Sequence, residues 1–211
     1  MAESTTTLVD LLRHGECEGG PIFRGSLDVA LSEAGLARMQ AQADAQPGWQ
    51  HVIASPLRRC RFFAERLAAA RGLSIDIDTR LREIDFGQWE GRPVAEVWQQ
   101  DRDAAQAWFD DPEHNGPPGG EALCELRARA RAAFDEAVRA HAGRHLVLMA
   151  HGGLIRALLA DLLAMPAAAM HRIEVPYACL TRLRVVHNDG RDLTQLVAHN
   201  IDFGAASSCD R

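Results

Sequence analysis

Short apolar runs recur along this chain, and three of them stop at polar residues marked by glycine or proline. Leu8-Val9-Asp10-Leu11-Leu12 ends at Arg13-His14-Gly15, and His51-Val52-Ile53-Ala54 ends at Ser55-Pro56. The run from His145 to Ala150 ends at His151-Gly152-Gly153. Runs this short and this continuous read as buried strands. Helical patterns separate them. Ser32 caps a helix to about Ala45, closed by Pro47-Gly48. Ser55 reads as an N-cap with Pro56 at the first helical position, ahead of Leu57, Cys60, Phe63 and Leu67 at helical spacing. Glu121 to Ala142 carries Leu123, Leu126, Ala130, Phe134 and Val138 on one side, and a further helix follows His151-Gly152-Gly153 through Leu163. Ile75 and Ile77 alternate with aspartates, as on an exposed edge strand, and two more strands are expected around 179–186 and 194–198. Strands alternating with helices predict an α/β fold, a three-layer α/β/α sandwich with a mostly parallel central sheet. The rhythm breaks between about Leu81 and Gly120, a stretch holding Trp89, Trp98 and Trp108. That stretch is expected to be a helical insertion lying over the sheet, within one domain spanning 1–211, its tryptophans forming the insertion's own core. The small, polar tail 205–211 is expected to fray.

Composition removes several function classes. The chain carries a net charge of -6, so a nucleic-acid partner, which asks for a basic face, is not expected. No apolar stretch approaches the roughly 20 residues of a membrane helix, and the first residues lack a signal-peptide pattern. The five cysteines are odd in number, scattered and without a Cys-x-x-Cys pair, which fits a reduced cytoplasmic protein. No P-loop, dinucleotide fingerprint or serine-hydrolase elbow occurs. His141 and His145 have a spacing seen in metal sites but straddle Gly143, and are read as a solvated turn; no metal site is expected.

Open α/β sheets bind ligands at the carboxyl ends of their strands. Three strand ends here carry Arg13-His14-Gly15, Ser55-Pro56-Leu57-Arg58 and His151-Gly152-Gly153. Two helices start at that rim and aim the positive ends of their dipoles at it. Arginine forks, imidazoles and helix N-termini together predict an anion site suited to phosphate.

The same residues resemble the histidine phosphatase superfamily, also called the phosphoglycerate mutase-like family. The resemblance begins with Leu12-Arg13-His14-Gly15-Glu16 and runs through Gly25–Gly35, Ala54-Ser55-Pro56-Leu57-Arg58-Arg59-Cys60 and Leu81–Gly91. Pro118-Gly119-Gly120-Glu121 and Met149-Ala150-His151-Gly152-Gly153 complete it. Phe86-Gly87-Gln88-Trp89-Glu90-Gly91 and the Pro-Gly-Gly-Glu turn are most similar to the α-ribazole phosphatase branch of cobalamin synthesis, although broad-specificity phosphatases share both. The resemblance implies that His14 is the nucleophile, that Arg13 and Arg58 clamp the phosphate, and that His151 donates to the phosphoryl group. It implies Glu83 as the acid for the leaving oxygen and then the base for water; a salt bridge to Arg82 or Arg80 is the competing reading of that residue. Gly152 joins the substrate contacts, and Arg24 and Ser26 are further candidates.

The expected activity is a metal-independent phosphomonoesterase acting through a phosphohistidine on a small phosphorylated metabolite, with α-ribazole 5'-phosphate a candidate. It would release inorganic phosphate, need no cofactor, and work as a monomer or homodimer. The alternatives are a cofactor-dependent phosphoglycerate mutase and a catalytically inactive binder of phosphorylated ligands. Two departures from the family pattern stand beside the nucleophile. Cys17 replaces the usual Thr or Ser, and is read as an oxidation liability; Glu18-Gly19-Gly20-Pro21 stands where many members carry an asparagine.

Overall fold

The computed structural model describes residues 5–188 and 192–201. The tail 205–211 lies outside the described residues. Six strands form one sheet: β1 (Thr6–Arg13), β2 (His51–Ala54), β3 (Ser74–Ile77), β4 (His145–Ala150), β5 (Leu180–Val186) and β6 (Leu193–Ile201). Their order is β3-β2-β4-β1-β5-β6. The pairs β2–β3, β2–β4 and β1–β4 are parallel, and β5 and β6 add antiparallel to one edge. The predicted mostly parallel α/β sandwich is therefore the observed fold.

Alternation along the central strands splits the core into two faces. Val9, Leu11, Ile53, Leu146 and Leu148 pack with α5 (Leu123–Ala140) and α6 (Gly152–Leu162). Leu12, Val52, Ala54, Val147 and Met149 pack with α1 (Glu33–Asp44) and α2 (Arg58–Arg71). Every position of β2, and every position of β4 but the first, is buried, so both faces are covered and the runs are apolar throughout. Truncating a fully buried Leu such as Leu11 or Leu148 to Ala would cost roughly 2–5 kcal/mol.

The capping expectations divide. Ser32 caps α1 by accepting from Gly35 N. Ser55 does not cap α2: the helix begins at Arg58 with Leu57 as N-cap, and the Ser55 hydroxyl accepts from Leu57 N in the turn before it. Segment 81–120 contains α3 (Val94–Gln100) and α4 (Arg102–Asp110), and lies at the carboxyl ends of the parallel strands. Its tryptophans are not simply an internal core. Trp89 is fully buried, whereas Trp98 and Trp108 also line a cavity.

His141 opens a turn as expected, but His145 begins β4 and neither side chain is solvated. His145 Nε2 bonds the buried Asp10 carboxylate at 2.9 Å, alongside Trp49 Nε1 and the Arg182 guanidinium. Asp10 sits mid-strand, one diagonal from His145 across β1–β4, so the polar group finds partners from three elements. His141 caps the end of α5 and stacks on His51.

Candidate active site

β1 and β4 end side by side, joined by His14 N donating to Ala150 O at 3.0 Å. This register sets His14 beside His151, with ring centroids 5.2 Å apart. A close approach holds the start of α1 against the loop that follows His14. A Cβ on Gly15 would lie 2.2 Å from Gly35 O, and one on Gly35 would lie 2.1 Å from Glu16 O, so both positions require glycine.

His14 is 3% exposed, and its Nδ1–H donates to Gly15 O at 2.7 Å. That bond assigns the proton to Nδ1 and leaves the Nε2 lone pair free. Burial first, then Arg13 and Arg59, hold this imidazole well below its ordinary range, so it is neutral near pH 7.

Arg13 donates through its NH1 to Val175 O at 2.6 Å, and its guanidinium carbon sits 4.2 Å from the Tyr177 ring centre. Its Nε–H is buried and without a partner. Arg24 is buried too: its NH2 donates to the carbonyls of Cys17, Glu18 and Gly20, and its NH1 to the Tyr177 hydroxyl. It folds the loop that departs from the family pattern, and its Nε–H also has no partner. Two unpaired, buried guanidinium N–H groups on one cavity are costly unless an anion meets them.

The second predicted clamp is misplaced by one residue. Arg58 is exposed and borders a separate surface depression with Phe62. Arg59 is 1% exposed and lines the cavity with His14. It donates to Leu27 O at 2.6 Å, to Gly25 O at 2.7 Å and to His151 Nδ1 at 3.2 Å. A guanidinium has five N–H donors, so two remain for a ligand. The signal was present in the periodicity: Arg59 stands four residues before buried Phe63, Arg58 four before exposed Phe62.

His151 is fully buried behind His14. Its Nδ1 accepts from Arg59, so the proton is on Nε2, which donates to Ser55 Oγ at 2.7 Å. Both nitrogens are thus occupied, and His151 bears on the site through Arg59 rather than through a free N–H. Burial first, then Arg59, lower its proton affinity far below the ordinary imidazole value.

Glu83 forms no bridge to Arg80, which pairs with Asp78 and Glu136. Its Oε1 accepts from Ile84 N and Leu154 N, and Oε2 from Gly153 N, placing the carboxylate on the first turn of α6. A Cβ on Gly153 would lie 2.7 Å from Glu83 Oε1, so the approach depends on glycine. Arg129 braces the same loop by donating to the carbonyls of Arg80, Arg82 and Glu83.

Gly152 lines the cavity. Ser26 does not; its N–H and hydroxyl both donate to the Glu90 carboxylate. Cys17 is 3% exposed, and burial pushes its thiol up, so it is a poor target for oxidation. The whole cavity holds about 370 Å³, and away from its charged end its wall is formed by Phe23, Phe86, Trp98, Trp108, Phe109 and Met170. None of its residues stands at a strand end.

Residues 9–199 match the sequence model of the histidine phosphatase superfamily, branch 1. The chain belongs to that superfamily. This histidine phosphatase is an enzyme of the phosphoric monoester hydrolase class. It is 33% identical over 179 residues to a probable phosphoglycerate mutase of Yersinia pestis, covering 83% of each chain. A solved mycobacterial glucosyl-3-phosphoglycerate phosphatase in complex with inorganic phosphate superposes with a TM-score of 0.82 at 32% identity, over 93% of this chain and 98% of the other. A putative α-ribazole-5'-phosphate phosphatase of Escherichia coli gives a TM-score of 0.75 at 25% identity, over 90% and 95%.

Proposed function

We propose that the protein hydrolyses phosphate monoesters through a phosphohistidine on His14 Nε2, without a metal in the chemical step. The observation that carries this is a neutral imidazole, its proton fixed on Nδ1 by Gly15 O, beside two buried arginine Nε–H groups without partners. Phosphoryl transfer asks mainly for positioning and charge neutralisation. Arg13 and Arg59 supply both to the phosphoryl oxygens. The Nε2 lone pair forms the P–N bond as the P–O bond to the alcohol breaks. Glu83 passes a proton from Oε2, the oxygen that accepts only one backbone N–H, to the departing oxygen. Glu83 then takes a proton from water, whose oxygen attacks phosphorus; the P–N bond breaks and inorganic phosphate leaves. His151 holds Arg59 Nε in place throughout.

The aromatic wall supports an alcohol carrying a flat, apolar part. α-Ribazole 5'-phosphate, with its benzimidazole base, has that form and is our candidate, which would place the enzyme in cobalamin synthesis. The four described cysteines are free, in keeping with a reduced cytoplasmic setting. The test is kcat/KM across α-ribazole 5'-phosphate, glucosyl-3-phosphoglycerate and 3-phosphoglycerate, with rapid acid and base quench of labelled enzyme. The expected result is preference for the ribazole ester and a base-stable, acid-labile label absent in His14→Ala. Preference for an acidic glycerate ester would overturn the substrate reading, mutase activity would favour the phosphoglycerate mutase alternative, and absence of turnover would make the chain a binder only.

A further inference from the structure

On the α5 side of the sheet, away from His14, three potential ligands from three elements converge. His51 opens β2, Asp76 lies in β3 opposite Ile53, and His141 caps α5. Side chains two residues apart share a strand face, so His51 and Asp76 both project toward α5, whose Ala133 and Ala137 pack with Ile53. One donor atom from each residue lies within 4.8 Å of the other two. The Asp76 carboxylate oxygen is 2.7 Å from His51 Nε2 and 3.9 Å from His141 Nε2. The two imidazoles stack at 3.9 Å, tilted by 29°.

We infer that His51, Asp76 and His141 form a binding site for a divalent transition-metal ion of the zinc class. Zinc takes nitrogen at about 2.0–2.1 Å and carboxylate oxygen at about 2.0–2.2 Å in a tetrahedron, which sets ligand atoms about 3.3 Å apart. Asp76 must therefore move about 0.6 Å away from His51 and about 0.6 Å toward His141. It is free to do so: its side chain is 63% exposed, while those of the histidines are 6% and 18% exposed. Two rings stacked at 3.9 Å cannot both aim an in-plane lone pair at one ion, so His141, the more exposed of the two, must also turn out of the stack, and water takes the fourth position. The donor set selects zinc, copper or nickel over magnesium and calcium, which prefer all-oxygen surroundings. Arg144 opposes the ion's charge and Asp76 offsets it. A bound ion would tie β2, β3 and α5 at a place remote from the chemistry.

The experiment uses the full-length, tag-free protein, stripped with EDTA and desalted, in competition with a chromophoric chelator for Zn²⁺. The expected result is one ion bound at micromolar affinity or tighter, a rise in Tm with stoichiometric Zn²⁺, and unchanged turnover of p-nitrophenyl phosphate. His141→Gln and Asp76→Asn should each weaken binding by at least about tenfold, since loss of a direct ligand costs no less than loss of an outer partner. Both should keep their turnover, which shows that they fold. No binding in the wild-type chain would overturn the proposal. So would binding that survives both variants, and binding abolished only by His14→Ala would instead place the ion at the catalytic histidines.

Discussion

Arg58 and Arg59 are adjacent in sequence and opposite in placement, which makes them the sharpest test of the site. Arg59→Lys keeps the charge and loses the fork. A lysine cannot meet Leu27 O, Gly25 O and His151 Nδ1 and still present two donors to a phosphoryl group. Loss of a preorganised donor to a transition-state oxyanion typically costs about 10²–10³ in rate, or about 2.7–4 kcal/mol. We expect kcat/KM for p-nitrophenyl phosphate to fall by about that factor. A buried acceptor left unpaired costs about 1–3 kcal/mol, and one or two would be orphaned. Tm should therefore drop, and assays belong well below the variant's melting temperature. Arg58→Ala removes an exposed side chain that borders another depression, so activity should stay within twofold and stability within about 0.5 kcal/mol. The measurement is steady-state kinetics on both variants with circular-dichroism melts. Equal losses in the two, or a larger loss for Arg58→Ala, would refute the placement of the clamp.

Four further outcomes follow from the geometry. Glu83→Gln should slow single-turnover phosphorylation of His14 by about 10²–10⁴ with an alkyl phosphate but only modestly with p-nitrophenyl phosphate, whose leaving group needs little protonation; equal slowing would exclude Glu83 as the leaving-group acid. Gly153→Ala pushes a methyl group to within 2.7 Å of Glu83 Oε1, so the same leaving-group dependence should reappear in a protein whose melt is nearly normal. The neutral form of His14 is held by burial and two arginines, so the acid limb of kcat/KM should fall below the ordinary imidazole value of about 6.5; a limb at or above it would contradict the electrostatics. Burial opposes ionisation of Asp10, but hydrogen bonds from Arg182, His145 and Trp49 outweigh it and hold the carboxyl below its ordinary range. Its stabilising contribution is therefore present above about pH 3.9 and lost as pH falls through the native value. Asp10→Asn should lower Tm at pH 7 and flatten the acid limb of a stability–pH curve.

The strand ends were legible because two physical signals coincide there. A buried parallel strand must be apolar on both faces, so the change to Arg13-His14 or His151-Gly152 marks the point where the chain leaves the sheet. The topology then brings those ends together, since β1 and β4 are hydrogen-bonded neighbours in parallel register. What escaped depends on finer rotations. Choosing between Arg58 and Arg59 needs the helical phase of α2, and reading Ser55-Pro56 as the helix start shifted that start by two residues. The phase was recoverable from Cys60, Phe63, Ala64 and Leu67, because a buried stripe extended backward reaches Arg59. Ser26 and His151 escaped for another reason: their hydrogen-bond partners, Glu90 and Arg59, come from segments whose proximity only the tertiary fold creates. The aromatic wall combines both difficulties. Phe23 precedes the insertion, Trp98, Trp108 and Phe109 lie in α3 and α4, and Met170 follows α6, so no local pattern assembles them. The proposed phosphate site thus lies at strand ends, where sequence and topology agree. The proposed substrate wall comes from four distant segments, and only their packing, with Phe23 4.8 Å from Phe86 and 6.5 Å from Trp108 between ring centres, brings it into one cavity with the strand ends.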